Sequence, residues 1–340
     1  MWQVIGQDKV LALLDRSLEE NNIAHAYLLV GPRHVGKGTL ALNLAQALNC
    51  DGLTPPCGQC YSCRRIFEHK HADVSSIGLN SKIEIGIAEI RELQRLANLP
   101  PYEGKRKVFI IDDAEYLSTE AANSLLKILE EPPPKVVWLL LTAEESRLLP
   151  TIISRCQRLE LKPMPLEQVE QILISSYNVD AAKAKLLTRL CCGRLGWALS
   201  SLLDDEILEQ RTQRITKLSS LTTANLEQRF ASAQELATQF SQNRRSGAEV
   251  MEIWLGWWRD LMLIKGGCKE GITNIDCEMA LEKQARSLSL NEIREFLANL
   301  CLVQEEISRN VNPRLAFESL MLNLPRRTGD SSESPGFQPN

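Results

Sequence analysis

The sequence predicts an α/β fold: a parallel sheet carrying a phosphate-binding loop and an inserted metal module, followed by all-helical domains. Three observations point there. The stretch Tyr27 to Leu48 runs from an apolar segment of strand length, through glycines, into a helix-period pattern. Two further strand-length apolar segments, in Lys107 to Asp113 and Val136 to Ala143, alternate with helix-period segments, the order expected of strand–helix–strand units. From about residue 207 to about Leu324 only helix-period patterns are found.

Ahead of the first strand, Val10, Leu11, Leu14 and Leu18 form one face of an amphipathic helix within Val4 to Glu20. Val4 to Gln7 is expected near a bound base, and His25 is expected to be structural, because no nucleophile or paired carboxylate accompanies it. Gly31, Gly36 and Lys37 then stand at G-x-x-x-x-G-K spacing. Glycines let successive backbone N–H groups turn inward around phosphate oxygens, the lysine serves the outer phosphates, and the helix N-terminus faces the anion with partial positive charge. The position after Lys37, where a hydroxyl would ligate Mg²⁺, is Gly38, and Thr39 lies one residue further on, about 100° round the helix.

The chain holds ten cysteines, and Cys50, Cys57, Cys60 and Cys63 crowd into C-x6-C-x2-C-x2-C, with Pro55, Pro56 and Gly58 supplying turns. Four thiolates at this density, without a secretory signal pattern, suit a closed, structural tetrahedral Zn²⁺ site better than disulfides. An iron–sulfur cluster fits the C-x2-C-x2-C core but lacks the following Cys-Pro. His69 and His71 are the alternative ligands. Cys156, Cys191, Cys192, Cys268, Cys277 and Cys301 are expected as buried small hydrophobes.

The segment KVFIIDD places Asp112 and Asp113 at the carboxyl end of a strand, where the first carboxylate can hold Mg²⁺ and the second can orient a water. A helix follows from Ser118, its N-cap, to Glu131, with Ala121, Leu125, Leu126 and Leu129 inward, and it is stopped by Pro132 to Pro134. The strand Val136 to Ala143 ends in the polar Thr142, and Leu148 to Cys156 reads as a short helix carrying an exposed Arg155.

Pro163 and Pro165 mark a boundary, with Pro165 opening a helix through Leu173. The expected domains are 1–162 with the cysteine module at about 50–63, a helical lid at 163–207, an all-α collar at 208–325 and a polar tail at 326–340. In the collar, Val250, Trp254, Trp257, Trp258 and Leu261 share a helix face and read as core, and Ser289 with Glu292 forms a capping box. A net charge of −4 gives no global attraction to nucleic acid. The absence of a basic-then-apolar start and of any apolar run near ~18 residues makes a cytosolic location the expectation.

Taken together, HAYLLVGPRHVGKGT, CGQCYSC, KVFIIDDAE, AANSLLKILEEPP, the Ser154–Cys156 triplet SRC and CGRLGWAL resemble the clamp-loader subunits of bacterial DNA polymerase III, within the AAA+ ATPases. The resemblance covers residues 1 to about 325. It implies an AAA+ sheet domain, a lid and a collar, and a five-membered ring with gamma/tau motor and delta subunits. That ring opens a sliding clamp on primer–template DNA. It further implies ATP or ADP with Mg²⁺ as ligands, and Arg155 acting in a neighbour's site.

Three departures from the motor pattern imply a member that hydrolyses little: Gly38 for the metal-binding hydroxyl, Asp113 for a Glu, and Gly196 where the lid's sensor arginine would stand, with Arg194 two residues displaced. Two rival readings are a hydrolysing gamma/tau-type subunit and a zinc-dependent nucleic-acid-binding protein. For the second, Arg64, Arg65 and Lys70 are offset by Glu68 and Asp73.

Overall fold

The computed structural model describes residues 2–79, 82–308 and 311–326; of the expected tail only Arg326 falls within them. The chain divides into two compact units, Met1–Val169 with Gly193–Ala198, and Glu170–Cys192 with Leu199–Asn340.

The first unit is built on five strands, β1 (Ala26–Val30), β2 (Val74–Ile77), β3 (Lys107–Ile111), β4 (Val136–Thr142) and β5 (Gln157–Glu160), in the order β2-β3-β4-β1-β5. Every pairing is parallel. β1, β3 and β4 are buried along their whole length, as expected of central parallel strands covered on both faces. Alternate residues feed two cores. Tyr27, Leu29, Val108, Ile110, Val137, Leu139 and Leu141 face one cluster with Leu14 of α1 (Asp8–Glu19) and Leu40 and Leu44 of α2 (Lys37–Asn49). Leu28, Phe109, Ile111, Trp138 and Leu140 face the other, where Phe109 stacks on Trp138 with ring centroids 4.6 Å apart. That second core takes in Ile90 and Leu93 of α4 (Ile87–Ala97) and Leu125 and Leu129 of α5 (Thr119–Glu130). The short helix α3 (Tyr61–Phe67) belongs to the cysteine module.

Ser118 caps α5 as expected, its hydroxyl accepting from the Ala121 N–H at 3.1 Å. The segment around Arg155 differs from expectation. Helix α6 is only Pro150–Ile153, so Arg155 lies just beyond its end, its N–H donating to the Ile152 carbonyl at 3.1 Å. Arg155 is also half-buried, its side chain 33% exposed, because it folds back against the end of α5. The main-chain carbonyl of His25 accepts from the Trp138 N–H at 2.8 Å.

The chain continues through α7 (Leu166–Tyr177), α8 (Ala181–Cys191) and α9 (Leu195–Leu203). Pro165 stands before α7, its carbonyl accepting the first-turn N–H groups of Gln168 and Val169. The helix runs past Leu173 to Tyr177, and Asn178 follows with φ 52°, a left-handed conformation that ends helices.

The second unit is completed by α10 (Glu206–Leu221), α11 (Leu226–Gln242), α12 (Arg244–Lys265), α13 (Glu278–Arg286), α14 (Leu290–Ser308) and α15 (Pro313–Leu322). Val250, Trp254, Trp257, Trp258 and Leu261 of α12 are all buried in its core. Trp258 lies 4.4 Å from the Phe296 ring of α14, centroid to centroid. The capping box is present: Glu292 N–H donates to Ser289 Oγ at 3.2 Å, and Ser289 N–H donates to Glu292 Oε2 at 2.7 Å. Arg229 is 1% exposed and donates to the carbonyls of Leu221 and Leu324 at 3.0 and 2.6 Å. It satisfies helix-end acceptors that burial would otherwise strand. Of the six scattered cysteines only Cys191 is buried, and Cys192, Cys268 and Cys301 are exposed. Cys192 caps α8 in the left-handed region at φ 50°, which turns it away from the core.

Candidate functional site

The strand order sets the carboxyl ends of β3, β4 and β1 side by side, the crevice where open parallel sheets bind ligands. β1 passes into the phosphate loop. Gly36 caps α2 with φ 108°, and a Cβ at Gly31 would fall 2.4 Å from the Leu161 carbonyl oxygen. Only glycine meets both demands. Lys37 opens α2, so the first-turn N–H groups point toward the loop. Its ammonium donates to the carbonyls of Gly31 and Pro32 at 2.6 and 3.0 Å. Burial lowers the Lys37 pKa, opposed by the charges of Glu115 and Asp112. Positive-φ glycines, a buried lysine and an open helix N-terminus fit the phosphates of a nucleotide. Val4 packs beside this loop, its Cγ1 3.7 Å from where a Gly36 Cβ would be, while Gln7 is engaged with Lys162, donating to its carbonyl at 2.8 Å. Gly38 and Thr39 are both exposed. A Cβ at Gly38 would meet nothing within 4 Å, so packing does not exclude a hydroxyl there.

Asp112, Asp113 and Thr142 come to the same edge. The chain turns sharply after β3: Asp113 has φ 54°, and its N–H donates to Asp112 Oδ1 at 3.0 Å. The turn sends Asp113 inward to Arg33, with Arg33 Nη2 3.6 Å from Asp113 Oδ1, both side chains nearly buried. Arg33 also donates to the Tyr116 hydroxyl at 3.3 Å. Glu115, not singled out from the sequence, is 5% exposed and lies among these groups. Its Oε1 accepts from the Ala143 N–H at 3.3 Å and its carboxyl bonds Thr142, which is itself fully buried. Burial raises the Glu115 pKa, with the Asp113 charge adding to the rise. The signal for Glu115 was its place in KVFIIDDAE, two residues past the paired carboxylates; only the left-handed turn shows that it points inward.

Gly196, in the first turn of α9, donates its N–H to the His34 carbonyl at 3.0 Å. A Cβ there would lie 2.7 Å from that oxygen, so the helix backbone rests directly on the phosphate loop.

Arg155 lies elsewhere. It stands two residues before β5, whose parallel register with β1 pairs Tyr27 with Gln157 and Val30 with Glu160. The phosphate loop leaves the carboxyl end of β1, so Arg155 and Lys37 occupy opposite ends of the sheet, on the order of 15–20 Å apart at about 3.3 Å per strand residue. Arg155 Nη2 donates to Glu130 Oε1 at 2.6 Å and Nη1 to the Thr151 carbonyl at 2.9 Å.

The cysteine module closes as its spacing predicts. The Sγ atoms of Cys50, Cys57, Cys60 and Cys63 all lie within 4.8 Å of one another, close to the ~3.8 Å that four thiolates at ~2.3 Å around a tetrahedral ion would span. Backbone N–H groups of Gly52 and Cys57 point at Cys50 Sγ, those of Cys60 at Cys57 Sγ and of Cys63 at Cys60 Sγ, at 3.3–3.4 Å. The N–H groups of Cys60 and Gln59 hold the Cys57 thiol down at about 6, while burial pushes Cys50 and Cys63 up. Such a pocket favours four thiolates only with a cation among them. His71 is turned away, its Nδ1 accepting from the Asp73 N–H at 3.1 Å. Asp73 is buried and receives the N–H groups of Tyr102, Glu103 and Gly104, so it does not offset the module's basic residues at the surface. Lys70 and Arg65 are nevertheless paired with Glu68 and Glu103.

Two family models match the chain, one described as DNA polymerase III, delta subunit, over residues 6–165, and one as DNA polymerase III, delta subunit, C terminal, over residues 206–326. DNA polymerase III subunit delta′ of Bacillus subtilis is 29% identical over 94% of this chain and 96% of its own length. DNA polymerase III subunit tau of Escherichia coli is 31% identical over 94% of this chain, which spans only 52% of that longer relative. A solved structure of a gamma subunit-related protein from Thermotoga maritima aligns over 95% of this chain and 99% of its own, at 20% identity and a TM-score of 0.44. With both units matched, sheet and helices alike, the chain belongs to the clamp-loader family of DNA polymerase III, the family of the delta′, tau and gamma subunits.

Proposed function

We propose that the chain acts as a delta′-type member of the clamp loader: a ring subunit that turns over little ATP itself and supplies Arg155 to the site of a neighbouring ATPase subunit. The observation that carries this reading is the opposition of its two functional ends. Arg155 stands at the far end of the sheet from its own Lys37, so it serves a phosphate only if another chain brings one. An arginine suits that task because its guanidinium stays charged and its planar fork matches phosphate oxygens.

Three features of the chain's own loop support low turnover. Gly38 offers no hydroxyl to Mg²⁺, Asp113 is drawn to Arg33, and Gly196 rests on His34 where a sensor arginine would need room. Nucleotide would be held by Gly31, Gly36 and Lys37, with Thr39, Asp112 and Thr142 around it; ATP would supply its phosphates and Mg²⁺ to that cradle. The partners in this reading are gamma/tau and delta subunits, and through them the sliding clamp and primer–template DNA. Residues 163–207 serve as the lid and 208–325 as the ring-forming collar. A structural Zn²⁺ on the four cysteines would hold Cys50, at the end of α2, to α3.

The test is steady-state ATP hydrolysis by the isolated full chain beside its Lys37→Ala variant. We expect no turnover above background for either. A rate near about 1 s⁻¹, the low end of ordinary enzyme turnover, that Lys37→Ala abolishes would instead make the chain a motor subunit of the gamma/tau kind.

A further inference from the structure

Glu130 has no role in the reading above, yet it makes the shortest contact that Arg155 has, 2.6 Å from Oε1 to Nη2. We propose that Glu130 is a positioning residue that sets the direction of the Arg155 guanidinium, an inference that rests on Arg155 acting in a neighbour's site.

Both anchors of that guanidinium are rigid. Glu130 is the last residue of α5, followed by Glu131 and three prolines that cannot continue the helix. Its neighbour Leu129 is 2% exposed in the same core cluster as Ile152, which is fully buried and fixes α6. The second anchor, the Thr151 carbonyl, belongs to α6 itself. A long side chain at a surface otherwise samples many rotamers, and holding it costs entropy at the moment of binding. Here the two contacts meet that cost in advance.

The pair does not earn its place by stabilising the fold, because the two side chains are 33% and 51% exposed and such pairs contribute little in water. Nor does it exhaust the arginine. A guanidinium carries five N–H donors; the contacts to Glu130 and Thr151, with a longer one from Nη1 to Ser154 Oγ at 3.5 Å, leave Nε–H and one hydrogen of Nη2 for the oxygens of a phosphate. The carboxylate therefore steadies one side of the fork while the other remains able to bind an anion.

The experiment uses complete rings reconstituted from the full chain and its ATPase partners, measuring clamp- and DNA-stimulated ATP hydrolysis. Four variants are compared: Glu130→Ala, Glu130→Gln, Arg155→Ala and the double alanine variant. Glu130→Ala should lower kcat by up to about a hundredfold, the loss that a misplacement of about 1 Å can produce, with KM for ATP and ring assembly unchanged. Glu130→Gln should recover most of the rate, since its amide oxygen can still accept from Nη2. The double variant should be no slower than Arg155→Ala alone.

If Arg155→Ala slows the ring while Glu130→Ala leaves it unchanged or speeds it, Glu130 does not position the arginine and only this proposal is lost. If Arg155→Ala itself has no effect, the arginine reading fails, and the positioning role with it.

Discussion

The two ends of the sheet treat charge in opposite ways. At the carboxyl end, Lys37, Arg33, Asp113 and Glu115 are nearly buried and engaged with groups of their own chain. At the amino end of β5, Arg155 is half-exposed, held from one side by a carboxylate and a carbonyl. Buried charges that already have partners resist rearrangement, since removing a partner strands the other. A surface arginine with spare donors gives up little to accept a phosphate. The cysteine module resembles the first case: four ligands and no open position make a closed site, suited to holding structure and not to chemistry.

The most direct way to break this contrast is to remove the group on the open side. Trans-acting arginines are worth about 10³–10⁵ in rate at the site they serve. Arg155→Ala should therefore silence one ATP site of a reconstituted ring and sharply reduce clamp loading while leaving assembly intact. Arg155→Lys should recover little, because an ammonium cannot present a fork. Rings that load clamps at the unmodified rate would make Arg155 an ordinary surface charge.

A second test addresses the closed cysteine site. Metal analysis of protein purified without added zinc should find about one Zn²⁺ per chain. Replacing Cys57 and Cys60 together by serine should abolish it and lower the melting temperature. Zinc that persists in that variant would mean that the ligands lie elsewhere.

The smallest expected effect sharpens the account of the buried charges. Burial raises the Glu115 pKa above the ordinary 4.5. Between that unfolded value and the raised folded one, folding takes up a proton, so stability falls as pH rises through the window. Glu115→Gln removes the ionisation and keeps the shape. Thermal melting should show the variant modestly more stable at pH 7 and no better than the parent below about pH 4.5. A variant less stable at pH 7 would mean that the carboxylate's attraction to Lys37 outweighs its burial.

These contrasts were unevenly legible in the sequence. β1, β3 and β4 could be read because a strand buried on both faces must be apolar throughout, as Leu28–Val30, Val108–Ile111 and Val136–Leu141 are. β2 and β5 escaped, because edge strands bury little: Leu159 alone is buried in Gln157–Glu160, and no residue of Val74–Ile77 is. Missing β5 is also why Arg155 was expected on a longer helix. The cysteine cluster was legible because its ligands are close in sequence as well as in space. Glu115 and the Arg33–Asp113 pair were not, since they depend on a left-handed turn at a non-glycine residue that no local preference announces. Likewise, the Glu130–Arg155 contact joins residues 25 positions apart across two helix ends.

The parallel pairing of β1 with β5 has a consequence for symmetry. Parallel strands send all their carboxyl ends one way, so the phosphate loop and Arg155 must face opposite directions on one body. Two such chains packed end to end across a twofold axis would meet loop toward loop or arginine toward arginine. Packed end to end, one chain's arginine reaches another's phosphates only through a head-to-tail contact, with unlike surfaces meeting. Repeated contacts of that kind give a directional ring or an open spiral, in which a subunit's position is defined by which neighbour it follows. In the proposed reading, a chain with a usable Arg155 but a weak loop of its own is functionally one-sided: it would complete the subunit on one side and need no arginine from the subunit on the other.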